Sequence, residues 1–234
     1  MLKKDSAVAL VSGGMDSCVT TAVANEKFSL ALLHINYGQR TEKRELKAFT
    51  DIASYYGVPE ERRLVANLDY FSKIGGSSLT DKKIDIPNLI VGACFKPAPT
   101  HNEIPTTYVP FRNAQFLSIA VSWAEVIGAE AVFIGAVEQD SPGYPDCRQV
   151  FYDAFNKLVE VGTKPETHIK VVTPLIGMSK TEIVKKGISV NAPLHLTWSC
   201  YKNNDVACGK CHSCVLRLTA FSDAGVKDTI PYLL

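Results

Sequence analysis

Short apolar runs alternate with longer amphipathic stretches along this chain. Ala7-Val8-Ala9-Leu10-Val11, Leu30 to Ile35, Arg63-Leu64-Val65, Ala131 to Gly135 and Ile169 to Val172 have the length and aliphatic content of buried strands. Between them, apolar positions recur at helical spacing. Cys18 to Glu26 can be helical. Glu42 to Tyr56 carries Leu46, Phe49, Ile52 and Ala53 on one face, with Gly57 as its C′ residue and Pro59 beyond. Ala114 to Ile127 is strongly apolar and ends at Gly128, Phe151 to Val161 is amphipathic, and Ser179 with Glu182 forms a capping box for a further helix. Strand alternating with helix predicts an α/β fold: a doubly wound, mostly parallel sheet with right-handed crossovers. The 234 residues suit one such domain, spanning 1–234. From Asp69 to Thr107 the rhythm breaks into Gly75-Gly76-Ser77-Ser78 and Pro87, Pro97, Pro99 and Pro105. A stretch this long with little periodicity is expected to be a lid, a partner-contacting segment or a surface loop.

Where the first run ends, Ser12-Gly13-Gly14-Met15-Asp16-Ser17 links a strand to a helix. A glycine turn feeding a helix N-terminus converges free N–H groups and a positive dipole end on one point, which makes an anion site. No Gly-Lys-Ser/Thr follows and the glycines are adjacent, so this is neither the Walker A pattern nor the dinucleotide fingerprint. It matches the pyrophosphate-binding loop of the N-type ATP pyrophosphatases, which split ATP between the α- and β-phosphates. That match assigns nucleotide contacts to Leu10, Val11, Ser12, Gly13, Gly14, Met15, Asp16, Ser17 and Cys18. The donors expected on phosphate are the Ser12 and Ser17 hydroxyls and the Gly13–Gly14 amides. Asp16 either caps the helix or holds Mg²⁺. A plain strand–turn–helix connection capped by Asp16 or Ser17 is the structural alternative.

Composition narrows the setting. The chain is 46% hydrophobic and 21% charged with a net charge of +1, so nothing favours a polyanionic partner over the whole surface. No apolar stretch reaches the length of a membrane span, and Met1-Leu2-Lys3-Lys4-Asp5 leaves no room for a signal peptide before the first strand. The expectation is a cytoplasmic protein whose seven cysteines are poor disulfide candidates and better metal candidates. Cys200, Cys208, Cys211 and Cys214, spaced C-x7-C-x2-C-x2-C among turn formers, suit a closed tetrahedral Zn²⁺ site, structural rather than catalytic. An iron–sulfur cluster is the competing occupant. His212 lies between two ligands and is expected to stay outside the shell. Cys18 is expected to pack in its helix and Cys94 to fill space. Cys147, beside Arg148, is the stronger candidate for a reactive thiol.

Together the loop, Val109-Pro110-x-Arg112-Asn113, the run Glu138-Gln139-Asp140 through Gly143-Tyr144-Pro145-Asp146-Cys147-Arg148, and the four cysteines resemble the 7-cyano-7-deazaguanine synthase family, over Leu10 to Cys214. Phe111 departs from the pattern, which has glycine there, and the Asp69–Thr107 insertion is longer than typical. The resemblance implies a Rossmann-like sheet of the adenine nucleotide alpha hydrolase type with a zinc-binding segment at about 195–220. It further implies a ligase that turns 7-carboxy-7-deazaguanine, ammonia and ATP into a nitrile through adenylated acid and amide. Ser12, Asp16, Ser17, Arg112 and Lys180 would be the catalytic set, with Arg112 and Lys180 meeting phosphate charge. Glu138, Asp140, Tyr144 and Asp146 would hold the deazapurine, with Glu138 and Asp140 accepting from its amino-pyrimidinone edge and Tyr144 packing on the ring. Implied partners are small molecules, with no nucleic acid and no membrane, and a homodimer is allowed. The rivals are a tRNA-thiolating enzyme on the same loop, which needs a reactive cysteine, and a nucleotide-binding zinc module without turnover.

Overall fold

The computed structural model describes residues 5–86, 104–138 and 144–233. Cys94, Gln139, Asp140 and the prolines at 87, 97 and 99 lie outside them. Five strands, β1 (Ser6–Leu10), β2 (Ser29–Asn36), β3 (Arg63–Asn67), β4 (Ala131–Phe133) and β5 (Lys170–Val172), form one sheet in the order β3-β2-β1-β4-β5. Every pairing is parallel. The chain builds outward from β1 through β2 to β3, then returns to add β4 on the other side of β1. The loops after β1 and β4 therefore diverge at the carboxyl edge, which opens a crevice there.

Burial on both faces explains the aliphatic runs. Along β1, Val8 and Leu10 pack with α4 (Arg112–Ile127) and α5 (Gln149–Gly162), through residues such as Leu117, Val121, Tyr152 and Phe155. Ala7 and Ala9 face the other way, toward Cys18 and Ala24 of α1 (Met15–Lys27) and Phe49 and Ile52 of α2 (Glu42–Tyr55). Beyond α1 lies a third cluster in which Met15 and Val19 meet α6 (Lys180–Ser189) and α7 (His212–Asp223) through Ile183, Val184 and Phe221. Caps largely match the sequence expectation: Gly57 and Gly128 take positive φ at helix ends, and Ser179 and Glu182 form the complete capping box. No helix among the described residues is long and apolar enough to cross a membrane.

Three boundaries differ from expectation. Helix α1 begins at Met15 rather than Cys18, and its N-cap is Gly14 with no side-chain cap, so Asp16 and Ser17 lie inside the first turn and neither is the cap. Strand β4 stops at Phe133, because Gly135 leaves the sheet to meet α1. The insertion is more ordered at its start than its composition suggests. It opens with α3 (Tyr70–Ile74), and Ser77, Ser78, Leu79 and Thr80 are buried. Arg40 holds it there by donating to the carbonyls of Ser78, Asp81 and Ile84 at 2.9, 3.0 and 2.6 Å.

The C-terminal segment is clamped by a buried ion pair. Arg217, 1% exposed, donates to both carboxylate oxygens of Asp228 at 2.6 and 3.0 Å and also to Thr197, Ser199 and the Leu194 carbonyl. Tyr232 donates to the same carboxylate at 2.7 Å. Burial opposes ionisation of Asp228, but Arg217 and Tyr232 outweigh it and hold the carboxyl below the ordinary range. Because the native value is depressed, this stabilisation is present in full above the unfolded-state value of about 3.9 and is lost as pH falls through the native value. Asp228→Asn should cost roughly 3–5 kcal/mol near neutral pH by leaving Arg217 unpaired, and that penalty should shrink below about pH 4. Urea unfolding of both proteins across pH measures it; an unchanged midpoint at pH 7 contradicts the clamp.

Candidate active site and metal centre

At the end of β1 the backbone turns sharply at Gly13, with φ +84. A Cβ there would lie 2.7 Å from the Glu45 carbonyl oxygen and 2.9 Å from Ala48 Cβ, so the turn packs directly on α2. The Gly13 carbonyl accepts the Trp198 N–H at 2.8 Å. In a trans peptide the carbonyl and the following N–H point in opposite directions. The Gly14 N–H is thus turned inward, to Ser12 Oγ at 3.3 Å. Ser12 Oγ also meets Ser17 Oγ at 3.2 Å, and Ser17 Oγ donates to the Gly14 carbonyl at 2.9 Å. The loop is closed by local bonds around an uncapped helix N-terminus.

Several helices present N-termini to this edge, and protein carboxylates occupy most of them. Asp146 Oδ2 accepts the Asn113 N–H of α4 at 3.0 Å, Glu138 Oε2 accepts the Gln149 N–H of α5 at 3.2 Å, and Glu182 caps α6. Helix α2 carries Glu42 and Glu45 in its first turn. Helix α1 has one acid in its first turn, Asp16, whose Oδ2 is neutralised by Lys180 Nζ at 2.7 Å. Asp16 Oδ1 is buried with no hydrogen-bond partner among the described residues. Of these termini, α1 keeps the most positive potential for an incoming anion.

Behind the loop stands His34, an imidazole inside the apolar run of β2. It is fully buried, with Nδ1 2.8 Å from the Val11 carbonyl and Nε2 3.0 Å from Asn36 Oδ1. Burial lowers its pKa against both hydrogen bonds, which keeps it neutral at physiological pH. Gly135 forms the other wall: a Cβ there would stand 2.8 Å from Asp16 C and Ser17 N. Neither residue stood out in the sequence. A polar residue inside an apolar run and a glycine ending one were the available signals.

Across the crevice, Arg112 opens α4. Its guanidinium lies over the rings of Tyr37 and Phe116, 5.3 and 5.6 Å from their centroids, and Nη1 donates to the Tyr37 hydroxyl at 3.2 Å. Tyr144 hydrogen-bonds to Thr107 and packs 5.7 Å from Tyr108. Cys147 is buried beside Asn113, and burial, reinforced by Asp146, pushes its thiol to about 12. Burial takes Cys18 to about 12 as well. Burial raises the carboxyl of Asp146, with the Asn113 N–H and Arg112 opposing. Lys180 and Arg112, grouped on phosphate charge by sequence, sit in different surroundings: one pairs with Asp16, the other lies against aromatic rings. Phe111 adopts φ 56, the left-handed conformation that glycine takes freely, and its exposed ring meets Phe151 edge-on.

The ligand sulfurs of Cys200, Cys208, Cys211 and Cys214 all lie within 4.8 Å of one another, a shell for a single metal ion. Backbone N–H groups of Lys202, Asn203 and Cys208 point at Cys200 Sγ at 3.3–3.4 Å, and that of Cys211 at Cys208 Sγ at 3.3 Å. Such donors favour thiolates. Cys211 and Cys214 also sit at the N-terminus of α7. This centre reaches the loop through Trp198. The indole N–H donates to the Asn203 carbonyl at 3.0 Å, the ring carries Arg44 at 4.5 Å, and the backbone N–H holds Gly13.

A doubly wound parallel α/β protein with a pyrophosphate-type loop at its switch point and a four-cysteine metal knuckle is the class that fold and site define. The chain belongs to the family described as queuosine biosynthesis protein QueC, whose model matches residues 6–225. It is 58% identical over 229 residues to the 7-cyano-7-deazaguanine synthase of Chlorobium chlorochromatii, covering 97% of this chain and 95% of that protein. To the protein of the same name from Chlorobium phaeobacteroides it is 60% identical over 227 residues, covering 97% and 96%. Among solved structures it is similar to NMN synthetase from Francisella tularensis, at 11% identity and a TM-score of 0.47, over 97% of this chain and 80% of that one.

Gly135→Ala should force α1 and the end of β4 apart and lower turnover by about 100-fold, because displacements near 1 Å at reacting groups cost that much. Gly162→Ala, at a helical glycine with nothing within 4 Å, should leave turnover unchanged. Equal effects on turnover from both substitutions would contradict the close-approach role. Stripping the metal with a chelator should speed hydrogen exchange at Gly13 and Gly14 as well as in the knuckle. Mass-spectrometric exchange confined to the knuckle would show that Trp198 does not transmit its order.

Proposed function

We propose that this chain converts 7-carboxy-7-deazaguanine and ammonia to 7-cyano-7-deazaguanine using ATP. The observation that carries this reading is the uncapped N-terminus of α1 beside the Gly13–Gly14 turn, at the point where β1 and β4 diverge. A carboxylate resists attack by ammonia because its oxygen is a poor leaving group. Attack of that oxygen on the α-phosphorus of ATP expels pyrophosphate and leaves an acyl adenylate. Ammonia then adds to the acyl carbon, AMP departs, and loss of a proton gives the amide. The amide oxygen attacks a second ATP in the same way. Its nitrogen loses both protons as the carbon–oxygen bond to AMP breaks, which forms the nitrile.

In this reading the Gly14 amide and the Ser12 and Ser17 hydroxyls donate to the departing pyrophosphate, where charge builds in the transition state. Lys180 balances charge at the same end. The buried, unpartnered Asp16 Oδ1 suits a hard divalent cation, so Asp16 would hold Mg²⁺, which neutralises phosphate charge when bound. Glu138 and Asp146, each with one carboxylate oxygen on a helix amide, are oriented acceptors for the deazapurine edge, and Asp140, outside the described residues, completes that set. Tyr144 offers a flat face to the ring. The metal is zinc in a structural role: Zn–S bonds of about 2.3 Å place tetrahedral sulfurs roughly 3.8 Å apart, and the observed 4.8 Å limit fits one ion more closely than a multi-iron cage. Thiol transfer needs a thiolate near neutral pH, and burial denies one to Cys18 and Cys147.

Incubation with 7-carboxy-7-deazaguanine, ammonium, ATP and Mg²⁺ should yield the nitrile together with AMP and pyrophosphate. ADP as the nucleotide product, with no AMP at any stage, rules the adenylation scheme out. Elemental analysis should find zinc and no iron.

A further inference from the structure

Two arginines pack into the interior, Arg217 fully buried and Arg112 partly buried with its Nε out of reach of water, and they differ in their partners. Arg217 is fully partnered by Asp228 and three further acceptors. Arg112 forms no ion pair among the described residues. Its Nη1 reaches a neutral phenol, and its Nε is buried without a hydrogen-bond partner. Two acids lie within electrostatic reach, and both are engaged elsewhere. Asp146 accepts the Asn113 amide, and Glu45 accepts from Thr41 and Gln39 at 2.7 and 3.1 Å. Taking a guanidinium nitrogen out of water without a partner is destabilising, and an anion bound there would relieve that cost.

The surroundings define the shape of that anion. Tyr37 and Phe116 lie against the guanidinium, Tyr201 of the metal knuckle packs in the same cluster as those two rings, and Tyr144 in the loop after β4 lies within electrostatic reach. Aromatic walls around a flat fork suit a planar heterocycle bearing a coplanar carboxylate, which accepts two parallel hydrogen bonds from one guanidinium. The phosphate donors belong to the loop after β1, and Lys180 of α6 is held at that loop by Asp16. Building on the proposed reaction, we infer that Arg112 anchors the carboxylate of the acid substrate within a cage of Tyr37, Phe116, Tyr144 and Tyr201. The acid loses its charge when it becomes the amide, so Arg112 governs entry to the first half-reaction and contributes little to the second.

The two halves can be assayed separately, with the acid or the corresponding deazapurine carboxamide as starting substrate. Arg112→Gln should lower kcat/KM for the acid by about 10- to 100-fold, the range of a lost charge-assisted hydrogen bond. Conversion of the carboxamide and the KM for ATP should each stay within about threefold. Arg112→Lys, which keeps charge but loses the fork, should recover part of the acid activity. In the unmodified protein without ATP, calorimetry should find the acid bound at least about tenfold more tightly than the carboxamide, a measurement independent of whether the variants fold. Equal losses on acid and carboxamide, a selective rise in the KM for ATP, or equal affinity for the two deazapurines overturns the Arg112 assignment alone. An unmodified protein that converts neither compound overturns the reaction reading and this assignment with it.

Discussion

The carboxyl edge of the sheet depends on how closely three backbone segments approach one another without side chains between them. Gly13 turns against the Glu45 carbonyl, and Gly135 lies against Asp16 and Ser17, so α2, β4 and the first turn of α1 meet within backbone contact. Interiors pack too densely to absorb an added methyl group by small shifts everywhere, so a Cβ at either point must move a whole element. Much else in the site follows from that approach. It brings the α1 amides to the switch point, lets Lys180 of α6 reach Asp16 of α1, and ends β4 two residues before Gly135.

Charge is distributed around that edge with the same selectivity. Parallel sheets place many helix N-termini on one side, and each is an anion site unless filled. Here Asp146, Glu138 and Glu182 fill three, and Lys180 cancels the acid in the first turn of α1. An anion entering the crevice therefore finds one strongly attractive helix end, along with a separate guanidinium among aromatic rings. Two differently shaped cationic points suit a reaction that brings a polyphosphate and a planar acid together.

The metal knuckle belongs to the same construction although it lies outside the sheet. Cys200 is bonded from the Asn203 amide, the Asn203 carbonyl takes the Trp198 indole, and the Trp198 amide orients the Gly13–Gly14 peptide. Arg217 and Asp228 tie the following helix and tail to Thr197 and Leu194, just before that tryptophan. A metal held by these cysteines would thus reach the loop without touching a substrate, through the direction in which one amide points.

Apolar runs and their spacing were enough to predict the parallel sheet, because strands buried on both faces and helices buried on one impose distinct periodicities. Adjacent glycines and clustered cysteines marked the loop and the metal centre, because each needs its residues close together in the chain. The roles of His34, Gly135, Tyr37, Trp198 and Tyr201 were not legible, since each depends on a neighbour more than 20 residues away, as with His34 and the Val11 carbonyl. The sequence also left Arg112 and Lys180 equivalent, as two cations of one expected role. Only the folded chain separated them, pairing one with Asp16 and leaving the other partly buried against aromatic rings, because a side chain's charge partner is set by which elements pack together and not by its place along the chain.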